Sequence, residues 1–171
     1  EPGLYGFLKR AGVQLPRPPE HYGLALVLGG AEVSMRELAA LYAMLANQGL
    51  WQPVRLRRDL PAAAPVRLLS PESAYVTLRM LEREDAMLRT PDGLVPLRCK
   101  TGTSNGFRDA WTAGVVGEYV LVVWVGNFDN RANPLFIGGE VALPLFTEMA
   151  YGLAALRPLH DVTAERRAGL N

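Results

Sequence analysis

The chain has 171 residues, 49% of them hydrophobic and 20% charged, which is typical of one globular domain and excludes a disordered chain. Its net charge of +1 gives no strong field toward nucleic acid or an anionic membrane, so no nucleic-acid partner is expected. The single cysteine, Cys99, excludes an internal disulfide, and no apolar run is long enough to predict a membrane-spanning helix.

The first residues predict a short amphipathic helix followed by irregular structure. Apolar residues recur at helical spacing from Leu4 to Ala11, and Gly12 ends the pattern. The next stretch, PRPPEHYG, is rich in proline and predicts a loop. LALVLGGAEV is apolar and then broken by glycines, which favours a buried turn over a regular strand.

Two serines predict the starts of two further helices. Ser34 and Glu37 match a capping box, in which the serine oxygen accepts a backbone N–H and the glutamate bonds back. Ser70 precedes Pro71, and proline is well tolerated at the first helical position. The first of these helices presents an apolar face of Leu38, Leu41, Tyr42 and Leu45, and the second one of Tyr75, Leu78, Met80 and Leu81.

The second half of the chain predicts a meander of strands. Trp51 to Leu60 reads as an extended, solvated basic stretch, PAAAP as a bend and RTPDG as a turn. From Leu94 the pattern predicts three strands, LVPLRCKTGT, DAWTAGVV and YVLVVWVGN, with an Asn-Gly turn after the first and a Gly-Glu turn after the second. The third strand is apolar almost throughout, which favours a central position in the sheet.

A last helix and a polar tail complete the predicted fold. Pro144 opens a helix with apolar residues at helical spacing, and we expect the tail from Arg157 to be frayed. Helices, then an antiparallel sheet, then a helix packed on that sheet predict an α+β fold. His21 and His160 lie far apart without ligand spacing, so no metal site and no cofactor is expected.

One short motif carries the chemistry of the chain. Lys100, one of only two lysines among 18 basic residues, precedes Thr-Gly-Thr-Ser. A lysine beside a glycine and several hydroxyls can bind an anion, stabilise an oxyanion or relay a proton, and it can equally be the polar end of a hairpin. Cys99 precedes it on a strand and therefore points to the opposite face, where a buried apolar role is expected. Asp109 is expected to bond the hairpin backbone, and Trp111 to belong to the core.

The surrounding residues carry a family resemblance. The stretch RCKTGTSNGFRDAWTAGVVGEYVLVVWVGNFD resembles the third-motif region of the class A penicillin-binding proteins, and SNGFRDAW is most similar to their 1C subgroup. LGGAEVSMRELAALYAMLANQG and LLSPESAY resemble the helical segments before it. The resemblance implies a transpeptidase fold like that of penicillin-binding proteins and serine β-lactamases. It implies that residues 1–156 are the C-terminal part of such a domain, with its N-terminal part missing, and that residues 157–171 are a polar tail.

The family also uses two motifs that this sequence lacks. These are a serine followed three residues later by a lysine, and a Ser-x-Asn loop. No serine here has a lysine three residues on, and no Ser-x-Asn occurs. We therefore expect both motifs to lie upstream and this chain alone to be inactive. Thr112 stands where many relatives have an aromatic residue, and we expect it to alter packing rather than chemistry.

The resemblance implies acyl transfer from the D-Ala-D-Ala end of a peptidoglycan stem peptide, and binding of β-lactams. Catalytic roles carry over to Lys100, which would supply positive charge and aid proton relay, and to Thr103, whose backbone N–H would bind the oxyanion. Substrate contacts carry over to Thr101, Gly102, Thr103 and Ser104. The hydroxyls of Thr101 and Thr103 would hold the substrate carboxylate, and Gly102 would let a substrate strand approach.

Other interpretations of the chain stay open. One alternative is a non-catalytic module of the cell envelope that binds stem peptides or partner proteins; a serine β-lactamase relative fits the helices and the hairpin less well. Without an N-terminal half, YVLVVWV would be an unpaired apolar edge, which predicts pairing with that half or with a second copy of the chain. The resemblance implies a periplasmic or cell-envelope location, with the parent protein anchored in the inner membrane.

Overall fold

The computed structural model describes residues 3–91 and 93–163. Within them the α-helices are Leu4–Arg10 (α1), Pro19–Tyr22 (α2), Met35–Ala46 (α3), Pro71–Met80 (α4) and Leu143–Leu156 (α5). The strands are Leu50–Trp51 (β1), Val66–Arg67 (β2), Glu82–Thr90 (β3), Gly93–Thr103 (β4), Asp109–Val116 (β5) and Tyr119–Gly126 (β6). A 3₁₀ helix spans Gly23–Leu28, and a π-helix spans Gly138–Ala142. The predicted α+β class is confirmed.

Side-chain caps fix the starts of α3 and α4, as predicted. The Ser34 Oγ accepts the backbone N–H of Glu37 at 3.2 Å, and the Glu37 carboxylate accepts the N–H of Ser34 at 2.7 Å. Glu37 also accepts the N–H of Gln14 at 2.7 Å, which joins the segment after α1 to α3. Burial alone would raise the pKa of Glu37, but these hydrogen bonds hold it below its usual value. At α4, the Ser70 Oγ accepts the N–H of Ser73 at 3.1 Å.

The faces that these helices bury differ from the predicted ones. Ala40 and Met44 are the buried residues of α3, and Ala74 and Leu78 are those of α4. Met80 is 80% exposed, so its predicted place on the apolar side is wrong. The predicted face of α3 is only half-buried: Leu38, Leu41, Tyr42 and Leu45. None of the described helices combines the length and apolar composition that crossing a membrane requires.

The stretch before α3 corrects two expectations. Part of the predicted loop PRPPEHYG forms the short helix α2. The predicted buried turn is the 3₁₀ helix, in which Leu24 and Leu28 are 89% and 90% exposed. Of this helix, only Leu26 is buried, in a small cluster with Val13 and other apolar residues. A 3₁₀ helix of two turns buries only the side that faces its neighbours, so its other apolar residues stay in solvent.

The main sheet has four antiparallel strands in the order β3-β4-β5-β6. The strands from Leu94 onward follow the prediction, but β3 was not predicted. It pairs with β4 from Thr90 to Glu82, with a bulge between Glu82 and Met87. β6 is the outermost strand of the described sheet, so the central position that its composition favoured is wrong, whereas the expectation of an unpaired apolar edge agrees with the described strand order. Among the described residues, its outer edge has no partner strand.

Helices cover both faces of this sheet. α5 packs on one face, where Leu88, Leu97 and Phe146 are fully buried in one cluster. Ala113 and Val115 point to the other face and are also buried, and α3 contacts β5 and β6. The sheet is therefore a buried central layer between α3 and α5.

The first residues of the predicted tail are packed rather than frayed. Leu159 is buried in the same cluster as Phe146, and the backbone N–H of His160 donates to the Glu118 carboxylate at 3.1 Å. The expectation of fraying is therefore wrong for residues 157–163. Residues 164–171 lie outside the described part of the chain, and the domain boundary at residue 157 stays a prediction.

A buried arginine ties this end of the chain to the sheet. Arg98, in β4, is fully buried, and its guanidinium donates to Glu82 at 2.7 Å and to Thr163 at 2.8 Å. The same group lies 2.9 Å from the Asp161 carboxylate. Burial alone would raise the pKa of Asp161, but hydrogen bonds from Thr163 and the charge of Arg98 hold it below its usual value. The cluster thus joins β3, β4 and the segment after α5.

This lowered pKa predicts how stability depends on pH. A carboxyl group with a depressed folded-state pKa stabilises the fold above its unfolded pKa, near 3.9, and loses this effect as pH falls through the folded value. The wild type should therefore exceed Asp161→Asn in urea midpoint at pH 7, and the difference should begin to shrink as pH falls below about 4. Urea unfolding followed by tryptophan fluorescence at pH 3 to 8 measures this. A difference that stays constant over the whole range would contradict the prediction.

Candidate functional site

The predicted site residues lie at the end of β4 and in the turn after it. Lys100 pairs with Ala113 across the ladder, and Thr103 pairs with Ala110. Because side chains alternate along a strand, Lys100 and Gly102 face one side of the sheet, and Thr101 and Thr103 face the other. The structure therefore brings all four residues to one strand end, with the lysine and the threonine side chains on opposite faces.

The hydrogen-bonding register decides which backbone groups of this strand end face outward. The backbone N–H of Ser104 donates to the carbonyl of Asp109 at 2.9 Å. Bonded and non-bonded pairs alternate in an antiparallel ladder, so Gly102 and Lys100 also direct their backbone groups toward β5. Thr101 and Thr103 therefore direct their N–H and C=O groups away from β5, toward the outer edge.

The outer edge of β4 is open from Lys100 onward. Pairing with β3 ends at Arg98, and the last contact on that side is the Cys99 N–H, which donates to the Leu81 carbonyl at 3.0 Å. No strand of the described chain pairs with Lys100–Thr103 there. The backbone groups of Thr101 and Thr103 consequently face an unoccupied strand position.

The ammonium of Lys100 lies at this open edge. Its side chain is exposed, and Nζ donates to the Thr101 carbonyl at 2.9 Å. Beside it, Gly102 is open on its side-chain face: a Cβ there would meet only the Cβ of Trp111, at an ordinary 3.6 Å. The chain's own packing therefore does not require glycine at this position.

The two hydroxyls next to the turn have partners within the chain. The Thr103 Oγ1 accepts the backbone N–H of Gly138 at 3.0 Å. The Ser104 Oγ accepts the backbone N–H groups of Asp109 at 2.8 Å and of Arg108 at 3.2 Å, so it holds the hairpin turn together. The predicted Asn-Gly turn is present, with Gly106 in the left-handed region at a φ of +75°.

Comparison with known proteins identifies the family. No protein-family model matches the chain. Penicillin-binding protein 1C of Escherichia coli K12 is 35% identical over 130 residues, which cover 74% of this chain and 16% of that protein. The chain belongs to the class A penicillin-binding proteins. This confirms the family that the sequence predicted.

Other penicillin-binding proteins match less of the chain or at lower identity. Penicillin-binding protein 1B of Haemophilus influenzae is 28% identical over 158 residues, covering 80% of this chain and 19% of that protein. Penicillin-binding protein 1A of Pseudomonas aeruginosa is 33% identical over 107 residues, covering 56% of this chain and 12% of that protein. The chain therefore spans less than a fifth of the length of each of these penicillin-binding proteins.

Two residues beside the motif have structural roles in this penicillin-binding protein chain. Cys99 is buried in the core below α5, and burial raises the pKa of its thiol, which confirms the predicted apolar role. Asp109 accepts a hydrogen bond from the Trp124 Nε1 at 2.9 Å. Its side chain thus binds an indole rather than the hairpin backbone that was predicted.

Two surface cavities of the described chain lie away from the motif. One, of about 450 Å³, is lined by α1, α2 and the 3₁₀ helix, and one of about 430 Å³ lies between the end of α3 and β2. Neither is lined by any of the predicted site residues. In this penicillin-binding protein chain the candidate site is therefore defined by the open edge of β4 and not by either of these cavities.

Proposed function

We propose that the end of β4 is the carboxylate- and oxyanion-binding strand of a peptidoglycan D,D-transpeptidase. The observation that carries the proposal is the open outer edge at Thr101 and Thr103, with the Lys100 ammonium 2.9 Å from the Thr101 carbonyl. The reaction would be acyl transfer to a serine from the D-Ala-D-Ala end of a stem peptide.

An extended peptide fits this edge as an added strand. The Thr101 N–H and C=O can pair with its backbone, as in other complexes in which a peptide extends a sheet. The Lys100 ammonium would then exchange its bond to the Thr101 carbonyl for a stronger, charge-assisted bond to the peptide carboxylate. The space over Gly102, which the described part of the chain leaves open, would accommodate the ligand backbone.

The proposed chemistry requires groups that this sequence does not provide. The Thr103 N–H would stabilise the tetrahedral oxyanion, a contribution worth roughly 100- to 1000-fold in rate in comparable sites. The nucleophilic serine with its lysine, and the Ser-x-Asn loop, would come from another segment of polypeptide. We propose that the chain alone forms no acyl-enzyme, and that β-lactams bind the same strand through their carboxylate.

The location and assembly proposed here follow from the family. The parent protein would act in the periplasm or cell envelope, anchored in the inner membrane. The unpaired outer edge of β6 in the described sheet supports pairing with the N-terminal half of the domain or with a second copy of the chain.

Peptide binding by the chain tests the proposal directly. N-acetyl-D-Ala-D-Ala should shift the backbone amide signals of residues 101–104 in an NMR titration that saturates at millimolar ligand. Its C-terminal amide should bind at least 10-fold more weakly, because it lacks the charge that Lys100 recognises. Gly102→Ala should abolish binding while leaving the urea midpoint unchanged, because among the described residues the added Cβ meets only the Cβ of Trp111, at an ordinary contact distance. Absence of any shift at 20 mM peptide would contradict the proposal.

A chimera tests the catalytic part separately. The matching segment of Escherichia coli penicillin-binding protein 1C is replaced by this chain, and the product is incubated with a fluorescent penicillin. The chimera should be labelled covalently, whereas this chain alone should not. Peptide binding together with a folded but unlabelled chimera would favour the alternative function, a non-catalytic peptide-binding module of the envelope.

A further inference from the structure

The segment after β6 folds back over the β4–β5 hairpin. It runs from Asn127 to the start of the π-helix at Gly138. Two backbone hydrogen bonds attach it: the N–H of Asn133 donates to the Phe107 carbonyl at 2.9 Å, and the N–H of Gly138 donates to the Thr103 Oγ1 at 3.0 Å. The segment therefore contacts the hairpin at its turn and at a proposed site residue.

The contact at Gly138 requires a residue without a side chain. A Cβ on Gly138 would lie 2.4 Å from the Gly102 carbonyl oxygen and 2.8 Å from that of Trp111, distances that real Cβ atoms do not adopt. The neighbouring Gly139 has nothing within 4 Å of the same position. Of these adjacent glycines, only Gly138 lies directly against the ladder at Gly102.

The hydrogen bond from the Gly138 N–H limits which further hydrogen bonds the Thr103 hydroxyl can make. A threonine hydroxyl can accept hydrogen bonds and can donate one, through its own proton. The Gly138 N–H occupies an accepting position of the oxygen, so the hydroxyl proton is left to donate elsewhere. The backbone N–H of the same residue points to the open edge of β4. Thr103 can therefore offer two donors to a ligand there.

We propose that Gly138 is a positioning residue, whose N–H holds the Thr103 hydroxyl as a donor to the carboxylate of a ligand on the outer edge of β4. The segment from Asn127 to Gly138 then adds to the preference that the Lys100 charge gives the site for an anionic peptide end over a neutral one. This inference rests on the proposed function, because it assigns a source of selectivity within the same site.

The adjacent glycines supply the variant and its matched control. The full chain, as wild type, Gly138→Ala and Gly139→Ala, is titrated with N-acetyl-D-Ala-D-Ala and with its C-terminal amide. The wild type and Gly139→Ala should prefer the acid at least 10-fold. Gly138→Ala should keep the part of this preference that Lys100 supplies and lose the part that the Thr103 hydroxyl supplies, because its N–H must move away from Thr103. The Trp111 and Trp124 indole signals report whether the hairpin remains folded.

A ligand-free measurement tests the hydrogen bond itself. Thr103→Val removes the acceptor, and the Gly138 amide should then exchange with solvent at least 10-fold faster, whereas Thr103→Ser should keep the wild-type rate. An unchanged exchange rate in Thr103→Val, or an unchanged acid preference in Gly138→Ala, overturns the inference while the proposed function stands. A wild type that binds neither compound overturns the proposed function and this role with it.

Discussion

Replacing Lys100 with glutamine is expected to slow acylation of the chimera by a fluorescent penicillin by about 10- to 100-fold. The ammonium is the one cationic group among the proposed site residues, and hydrogen bonds to charged groups contribute about 1.5–3 kcal/mol. The fold should not suffer, because the side chain is exposed and its bond to the Thr101 carbonyl is local. Labelling time courses at several penicillin concentrations give the second-order rate constant.

The other lysine of the chain provides the matched control. Lys9 lies in α1, with its ammonium 5.8 Å from the centre of the Tyr5 ring. Lys9→Gln removes the same charge from the chain at a distance from β4, so it should acylate at the unmodified rate. Equal rates for the two variants would show that net charge, and not the position of Lys100, controls the reaction.

Replacing Arg98 with alanine is expected to destabilise the chain by about 3–5 kcal/mol, the usual cost of removing one partner from a buried ion pair. The guanidinium is fully buried and binds two carboxylates, Glu82 and Asp161, that are themselves largely buried. A loss of this size is a large part of the 5–15 kcal/mol that stabilises a typical domain. Urea unfolding at pH 7 measures it.

An exposed arginine supplies the comparison. Arg57 pairs with Asp59, and both side chains are more than half exposed. Exposed pairs contribute little, so Arg57→Ala should leave the urea midpoint unchanged. If Arg98→Ala were equally neutral, the cluster at Arg98 would not hold the end of the chain to the sheet.

Elements that a few consecutive residues predict are present in the structure. The caps at Ser34 and Ser70 depend on side chains three residues apart, and the structure has both. The strand predicted as DAWTAGVV is β5, Asp109–Val116, and the Asn-Gly turn before it contains Gly106. In each case the deciding contact lies within one element, so the local sequence contains the whole reason for it.

Elements that depend on distant contacts were missed or misplaced. β3 has the sequence EREDAMLRT, in which charged residues suited to a helix outnumber the inward-facing Leu88 and Thr90. Its pairing with β4 overrides that propensity. The apolar 3₁₀ helix, conversely, is largely exposed, because composition cannot indicate which side of so short a helix meets a neighbour.

The candidate site likewise has one part that the local sequence predicts and another that depends on distant contacts. Lys100 to Ser104 are contiguous, so their sequence alone singles them out. The openness of their outer edge depends on β3 beginning at Glu82, opposite Arg98, which no motif encodes. Gly138 lies 35 residues from Thr103, and a glycine pair before a helix gives no sign of contact with a strand that far away. The partner of Asp109, Trp124, was missed for the same reason.

The loss of pairing with β3 beyond Arg98 also affects how fast a ligand can bind to β4. β4 pairs with β3 from Gly93 to Arg98 and with β5 from Arg98 to Thr103, so beyond Arg98 one side of the strand is vacant in the described chain. A molecule arriving at that side has no ladder to unzip and needs only to displace the lysine from the Thr101 carbonyl. The rate of ligand binding at this edge should then be set by diffusion and by rotamer exchange of the Lys100 side chain, without a slow conformational step.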